Sequence, residues 1–206
     1  MVKNQIPDIV VGRLPRYLQE LLHMTQKDQK TTSSQELGER LGISSAQIRK
    51  DLSQFGEFGK QGTGYSISYL IEQLQVILKV DKVWDIALIG AGDLGHAIAR
   101  YQGFKNRGFR VAMVFDNDPA KIGSSIGDFV VQDTANIGTL VEQANIKVAM
   151  LTVPVSAAQE VAEALVRAGV RAILNYAPTP LNLPEHVCVQ YIDPIVALQH
   201  MTYYLG

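Results

Sequence analysis

The chain is 206 residues long, 47% hydrophobic and 19% charged, with a formal net charge of −1. That composition excludes a disordered or collagen-like chain and fits one globular domain with an appendage, or two small domains; the length is too short for a two-domain dehydrogenase. No apolar run approaches the ~20 residues of a membrane span, and the opening "MVKNQIPDIVVGRLPRYL" lacks a secretory signal's apolar core, so a cytoplasmic protein is expected.

In the first 80 residues the segments "RYLQELLHMT", "SSQELGERLG", "SSAQIRKDLSQFG" and "SYLIEQLQVILKV" have the apolar spacing of helices. The middle pair is joined by the turn "LGIS". A serine N-cap precedes Leu37 and Leu41, Gly42 falls at the turn, and Ser44 or Ser45 starts the second helix. On that helix Ile48, Leu52 and Phe55 stand at i, i+4 and i+7 as a core stripe, leaving Ala46, Lys50 and Ser53 outside, flanked by Arg49 and Gln54. Such a face suits a DNA major groove, with Lys50 and Arg49 meeting guanine edges or phosphates and Ser53 or Gln54 meeting bases or backbone. It also suits an ordinary solvated helix. The following "FGEFGKQGTGYSI" predicts a small β-hairpin whose Lys60 would meet phosphates as a wing, with Gly62 and Gly64 serving the turn. Charge is mildly consistent with this use. Residues 1–80 hold 10 Lys+Arg against 8 Asp+Glu (+2), and residues 81–206 hold 9 against 12 (−3).

The pattern changes near residues 79–84. Beyond it the apolar runs "IALIG", "RVAMVF", "KVAMLTV", "RAILNY" and "VCVQYI" read as strands buried on both faces, some separated by helical stretches such as "SAAQEVAEALVRAG". This alternation predicts a parallel, doubly wound sheet. Within "IALIGAGDLG", Gly90, Gly92 and Gly95 form G-x-G-x-x-G between a strand and a helix. The first glycine makes the tight turn, the second admits a pyrophosphate and the third lets helix and strand pack closely. The next strand ends in Asp116, 21 residues after Gly95, where a carboxylate accepts adenosine ribose hydroxyls and repels a 2′-phosphate, which favours NAD(H) over NADP(H). Asp118 before Pro119 reads as a turn cap. Lys121 fits either a contact on the adenosine side or a solvated lysine.

No nucleophile with an adjacent base and no cluster of metal ligands is evident, and His23, His96, His186 and His200 are scattered. The single cysteine, Cys188, rules out an internal disulfide and is expected to be a buried, inert thiol. A bound cofactor without chemistry to perform suggests a sensor rather than an enzyme. The alternatives are a small NAD(H)-dependent oxidoreductase carrying an N-terminal interaction domain, and a nucleotide or coenzyme A binding module that never meets DNA. Asp116 weighs against coenzyme A, whose adenosine ribose is phosphorylated.

Taken together, "GRLPRYL", "SSQELGERLGISSAQIRKDLSQFGEFGKQGTGY", "GAGDLGHAIARYQGF", "FDNDPAKIG", "LTVP", "LNYAP" and "YIDPIVAL" resemble the Rex family of redox-sensing transcriptional repressors over essentially the whole chain. The resemblance implies an α/β protein: a winged helix-turn-helix domain over residues 1–80, a Rossmann-type NAD(H) domain over 81–193, and a C-terminal dimerisation helix over 194–206, exchanged between two copies. It implies a homodimer on a palindromic DNA operator, released by NADH and held with NAD+. Matched by position, "SSAQIRKDL" is the recognition helix, so Ser44, Ser45, Gln47, Arg49, Lys50 and Ser53, with Lys60 and Gly62 of the wing, are the implied DNA-binding residues. Gly90, Ala91, Gly92, Asp93, Leu94 and Gly95 form the pyrophosphate loop. Asp116 and Lys121 lie on the adenosine side, and Thr152, Val153, Pro154, Asn175, Tyr176 and Ala177 lie along the nicotinamide. The resemblance places Tyr101 beside the nicotinamide as a cofactor contact and assigns Tyr101 and Asp193 to the redox switch; read as residues, Tyr101 also fits a helical core stripe with Leu94, Ala97 and Ile98, and Asp193 fits a cap on the last helix. Gln19 stands where many members carry a switch arginine, and Pro194 where an apolar side chain is usual.

Overall fold

The structure, a computed structural model, describes residues 6–60 and 64–205. It divides into two compact units, residues 1–82 and 83–206.

The first unit is helical with a small sheet. Helices α1 (Asp8–Val11) and α2 (Leu14–Gln26) are followed by strand β1 (Thr31–Thr32), α3 (Ser34–Leu41), α4 (Ser45–Ser53), β2 (Gly59–Lys60), β3 (Gly64–Ser66) and α5 (Ile67–Ile77). Both central helices start as their serines dictate: the Ser33 hydroxyl accepts the Glu36 amide, and the Ser44 hydroxyl accepts the Gln47 amide. Gly42 ends α3 in the left-handed conformation, which a glycine adopts without steric cost. Gly38 is needed for a different reason. A Cβ there would run into the Ile43 carbonyl, so only glycine lets α3 sit this close to the turn leading into α4. Leu14, Tyr17, Leu21, Leu37, Ile48, Leu52, Leu70 and Leu74 form the core, each fully buried aliphatic side chain contributing about 1.5–3 kcal/mol of transfer free energy. The expected hairpin is present as β2–β3, and β1 adds to it, in the order β1-β3-β2, all antiparallel. This is a helix-turn-helix with a short wing.

The second unit is a seven-stranded sheet in the order β10-β9-β8-β4-β5-β7-β6. Its strands are β4 (Trp84–Ile89), β5 (Phe109–Asp116), β6 (Ser125–Ile126), β7 (Phe129–Asp133), β8 (Val148–Leu151), β9 (Ala172–Asn175) and β10 (Cys188–Tyr191). All pairings are parallel except that of β6 with β7. Helices α6 (Asp93–Arg100), α7 (Ile137–Gln143), α8 (Val155–Arg167) and α9 (Pro194–Thr202) complete it. Side chains alternate between two cores. Ala87, Ile89, Phe115, Leu151 and Ile173 face α7 and α8, and Ile86, Leu88, Val114 and Met150 face α6. The chain reverses its direction of growth between β4 and β8, which opens a crevice at their carboxyl ends.

The structure departs from two of the expectations. Cys188 is exposed, not buried. In the parallel register it pairs with Ala172, and Gln190 pairs with Leu174, so both lie on the α6 face of the sheet, where Gln190 is exposed as well. The stripe of Leu94, Ala97, Ile98 and Tyr101 is also not a core face. The buried side of α6 is Gly95, Ile98 and Ala99, whereas Leu94, Ala97 and Tyr101 are exposed.

Candidate functional site

The crevice is a cleft of about 840 Å³ lined by the ends of β4, β5 and β8 and by the first turns of α8. Its volume suits a sizeable organic ligand. Backbone bonds knit its floor: the Gly90 amide donates to the Phe115 carbonyl (2.8 Å) and the Thr152 amide to the Ile89 carbonyl (2.8 Å). The Thr152 hydroxyl donates to the carbonyls of Ile89 (3.0 Å) and Gly90 (2.9 Å), pinning the loop after β8 onto the glycine turn.

The three motif glycines have separable roles. Gly90 has a φ of +103° and lies so close to the Thr152 backbone that a Cβ would collide with it. A Cβ on Gly95 would strike the Gly90 carbonyl oxygen, so Gly95 sets the approach of α6 to the strand end. Gly92 lines the cleft and would place a Cβ in open space, with nothing within 4 Å. It caps α6 without any side-chain hydrogen bond, leaving the first amides of an eight-residue helix to face an anion. A diphosphate therefore fits what the chain presents at this position.

Asp116 is buried, at 6% exposure. One of its oxygens accepts the Ala91 amide (2.7 Å) and the Lys121 ammonium (3.4 Å), and the other accepts the Asp118 amide (2.9 Å). Burial by itself would raise its pKa, but these donors outweigh it and hold the carboxyl below the usual carboxylate range. Asp116 thus braces the glycine loop. With three of about four acceptor positions filled, it keeps room for one ribose hydroxyl, and for a second only if Lys121 swings away. Asp118 caps the turn as the sequence suggests, accepting the Ala120 amide (2.9 Å).

Of the residues expected at the cofactor, the cleft brings together Gly90, Gly92, Asp116, Lys121, Thr152, Val153 and Pro154. Ala91 and Gly95 are buried beneath it, and Asp93 and Leu94 are exposed on α6. Asn175 is fully buried and shapes its own turn, accepting the Ala177 amide (2.9 Å) and donating to the Thr179 carbonyl (3.0 Å). Tyr176 is partly buried, which raises its phenol pKa, and its amide bonds the Leu151 carbonyl (2.9 Å). Tyr101 stands edge-on to Phe104 with ring centroids 5.1 Å apart, and Asp193 caps α9 through the Ile195 amide (2.9 Å). Sequence reasoning missed the far wall of the cleft, including Asn117, Asp133, Thr134 and Ile137. Asn117 follows directly on β5, and Asp133 ends strand β7, which carries no motif, with Thr134 and Ile137 following it.

On the helix-turn-helix, Lys50, Ser53 and Arg49 are exposed as expected. Arg49 donates to the Ser34 hydroxyl (2.9 Å), and the Ser53 hydroxyl donates back to the Lys50 carbonyl (2.9 Å). Ser44 is engaged as the cap, Ser45 opens α4, and Lys60 lies on β2. Gly62 lies outside the described residues. Gln19 is on α2. Among the described residues no cluster of His, Cys, Asp and Glu is placed to hold a metal ion, and no helix is long and apolar enough to cross a membrane.

Comparisons with known proteins agree with this geometry. A family model described as "CoA binding domain" matches residues 81–179, and one described as "Putative DNA-binding protein N-terminus" matches residues 5–53. The redox-sensing transcriptional repressor Rex of Chloroflexus aggregans is 51% identical over 98% of this chain and 96% of its own length. The crystal structure of RSP in complex with beta-NAD+ and operator DNA superposes with a TM-score of 0.92 at 38% identity, covering 98% of this chain and 94% of that one. The structure of RSP with beta-NADH gives 0.90 at 36% identity, covering 98% and 95%.

Proposed function

The chain belongs to the Rex family of redox-sensing transcriptional repressors, and from that membership and the geometry above we propose that it represses from a palindromic operator and releases it on binding NADH. It is a regulator rather than an enzyme. The observation that carries the reading is the pairing of a helix-turn-helix having an outward basic face with a glycine-loop cleft whose acidic brace suits an unphosphorylated adenosine ribose. The second unit binds the dinucleotide, through the α6 N-terminus at the diphosphate and Asp116 and Lys121 at the ribose. The nicotinamide lies toward Thr152, Val153 and Pro154, with Asn175 and Ala177 holding the neighbouring turn in place. Residues 1–80 act as the DNA-binding domain, 81–193 as the NAD(H) domain and 194–206 as the dimerisation helix of a cytoplasmic homodimer. The exposed side chains Leu94, Ala97 and Tyr101 on α6, and Tyr191 and Ile192 at the end of β10, support that assembly.

The test is fluorescence anisotropy of a labelled palindromic duplex titrated with protein, with and without NADH. Binding should be tight without NADH and lost with it. Failure to bind any palindrome, or identical curves with and without NADH, would end this reading. In the same assay Lys50→Ala or Arg49→Ala should weaken operator binding while leaving NADH affinity intact. A lost base contact costs about 1–3 kcal/mol and relaxes preference at one position, whereas a lost phosphate contact lowers affinity on every sequence and flattens the salt dependence.

The cofactor assignment has its own expected result. Asp116→Ala removes a ribose acceptor and the brace under Ala91, and should lower NADH affinity by about tenfold to a hundredfold, the range set by ~1.5–3 kcal/mol for hydrogen bonds to a charged group. It also frees Lys121 to meet a 2′-phosphate, so the preference for NADH over NADPH should narrow. Calorimetry with both nucleotides decides this; a better fit of NADPH to the unmodified protein would overturn the assignment.

A further inference from the structure

The first unit holds a buried carboxylate apart from the basic outer face of α4. Asp51 lies on α4 with no exposed surface, on the helix expected to enter the groove. Its two oxygens accept four hydrogen bonds. One takes the Arg13 Nη2 (2.7 Å) and the Gln47 Nε2 (2.7 Å), and the other takes the Arg13 Nε (2.6 Å) and the Tyr17 hydroxyl (2.6 Å). Every acceptor position on the carboxylate is thereby filled. Arg13 and Tyr17 lie at the start of α2, more than thirty residues away in sequence. The guanidinium meets the carboxylate as a fork, which fixes the direction of approach as well as the distance.

A core position here is available to an aliphatic side chain, and replacing a buried ion pair by packed hydrophobic residues is often neutral or stabilising. What the ionic arrangement supplies is orientation. Asp51 is acceptor-only, so it also settles which end of the Gln47 amide faces inward: the amide nitrogen is held on the carboxylate, leaving the carbonyl oxygen as the free end. Gln47 sits in the first turn of α4, the part of a recognition helix that meets base edges.

We propose that Asp51 is a positioning residue for DNA reading: through Arg13 and Tyr17 it fixes the tilt of α4 on α2, and through Gln47 it presents a hydrogen-bond acceptor to the groove. The acceptor would select a base offering an amino donor there, adenine N6 or cytosine N4. This rests on the DNA-binding reading above and adds a specificity determinant to it.

The experiment is selection from a random duplex library, followed by affinity and salt titrations on the enriched duplex and a scrambled one. Three full-length proteins are compared: unmodified, Asp51→Asn and Tyr17→Phe. If the unmodified protein enriches no palindrome, the DNA-binding reading itself fails. If it does, Asp51→Asn should lose about tenfold in discrimination between enriched and scrambled duplex, one base pair's worth, and relax its preference at one position in each half-site. Its salt slope should stay unchanged, because no phosphate contact is removed. A merely structural role would lower the melting temperature without altering base preference. Should Asp51→Asn fail to fold, Tyr17→Phe decides: it retains ring and ion pair, and should give a smaller loss of discrimination, about threefold, for one missing hydrogen bond. Unaltered base preference and discrimination in a folded Asp51→Asn protein, or in Tyr17→Phe where that protein is the arbiter, overturns the proposal.

Discussion

Gly92→Val should lower NADH affinity by about a hundredfold, about 2.8 kcal/mol, while leaving the melting temperature of the free protein nearly unchanged. Gly92 has a φ of −82°, which any residue adopts, and its Cβ position is empty, so valine strains nothing in the protein alone. The cost appears only when a diphosphate approaches the α6 N-terminus, where the branched side chain occupies the volume the phosphates need. Gly95→Ala should show the opposite behaviour. Its Cβ meets the Gly90 carbonyl, so the helix must back away from β4, a case of overpacking worth about 1–3 kcal/mol of stability. Thermal melts and isothermal titration on the two variants separate the effects. If Gly92→Val bound NADH like the unmodified protein, the diphosphate would not lie at this loop.

The pattern of these glycines was legible because a strand, a turn and a helix start within seven residues leave few geometries open, although the Thr152 backbone that crowds Gly90 lies far off in sequence and Gly92 faces open space. The same holds for the serine caps at Ser33 and Ser44, the αL glycine at Gly42 and the strand cores, whose continuous apolar runs demand burial on both faces. What escaped depends on partners distant in sequence. Asp51 reads as one more polar residue beside Lys50, and only folding reveals that Arg13 and Tyr17 converge on it. Asp116 reads as a free ribose acceptor, yet its oxygens are mostly engaged by Ala91, Asp118 and Lys121. Cys188 sits in an apolar run that promises burial, but burial needs a cover, and among the described residues its side chain stays exposed. Periodicity reports which side of an element is apolar; it does not report whether that apolar side is covered within one chain.

Removing the residues from Pro194 onward should convert the protein to a monomer and uncouple NADH from DNA. Helix α9 has no buried residue: Ile195, Val196, Leu198 and Met201 are all more than half exposed, and Leu205 beyond it is 82% exposed. A nine-residue helix is below the ~12–15 residues at which an isolated helix becomes even marginally stable in water, so it needs a surface to pack on. A second copy offers one, since Leu94, Ala97 and Tyr101 of α6 and Tyr191 and Ile192 at the end of β10 are exposed in the same unit. In the proposed switch such an interface has an energetic role. Moving an equilibrium from mostly DNA-bound to mostly released takes a differential NADH affinity of roughly 10⁴, about 5.5 kcal/mol. One hydrogen bond between a tyrosine such as Tyr101 and a carboxylate such as Asp193 supplies about 1.5–3 kcal/mol, so in that proposal repacking of a dimer interface supplies the remainder. The truncated protein keeps every residue lining the cleft and should still bind NADH. Its operator affinity should fall by about a hundredfold or more, because two half-sites are no longer bound as one linked unit, and NADH should change the residual binding little. Sedimentation and anisotropy test both halves, and a truncated chain that stayed dimeric and still released the operator on adding NADH would show that the coupling runs elsewhere.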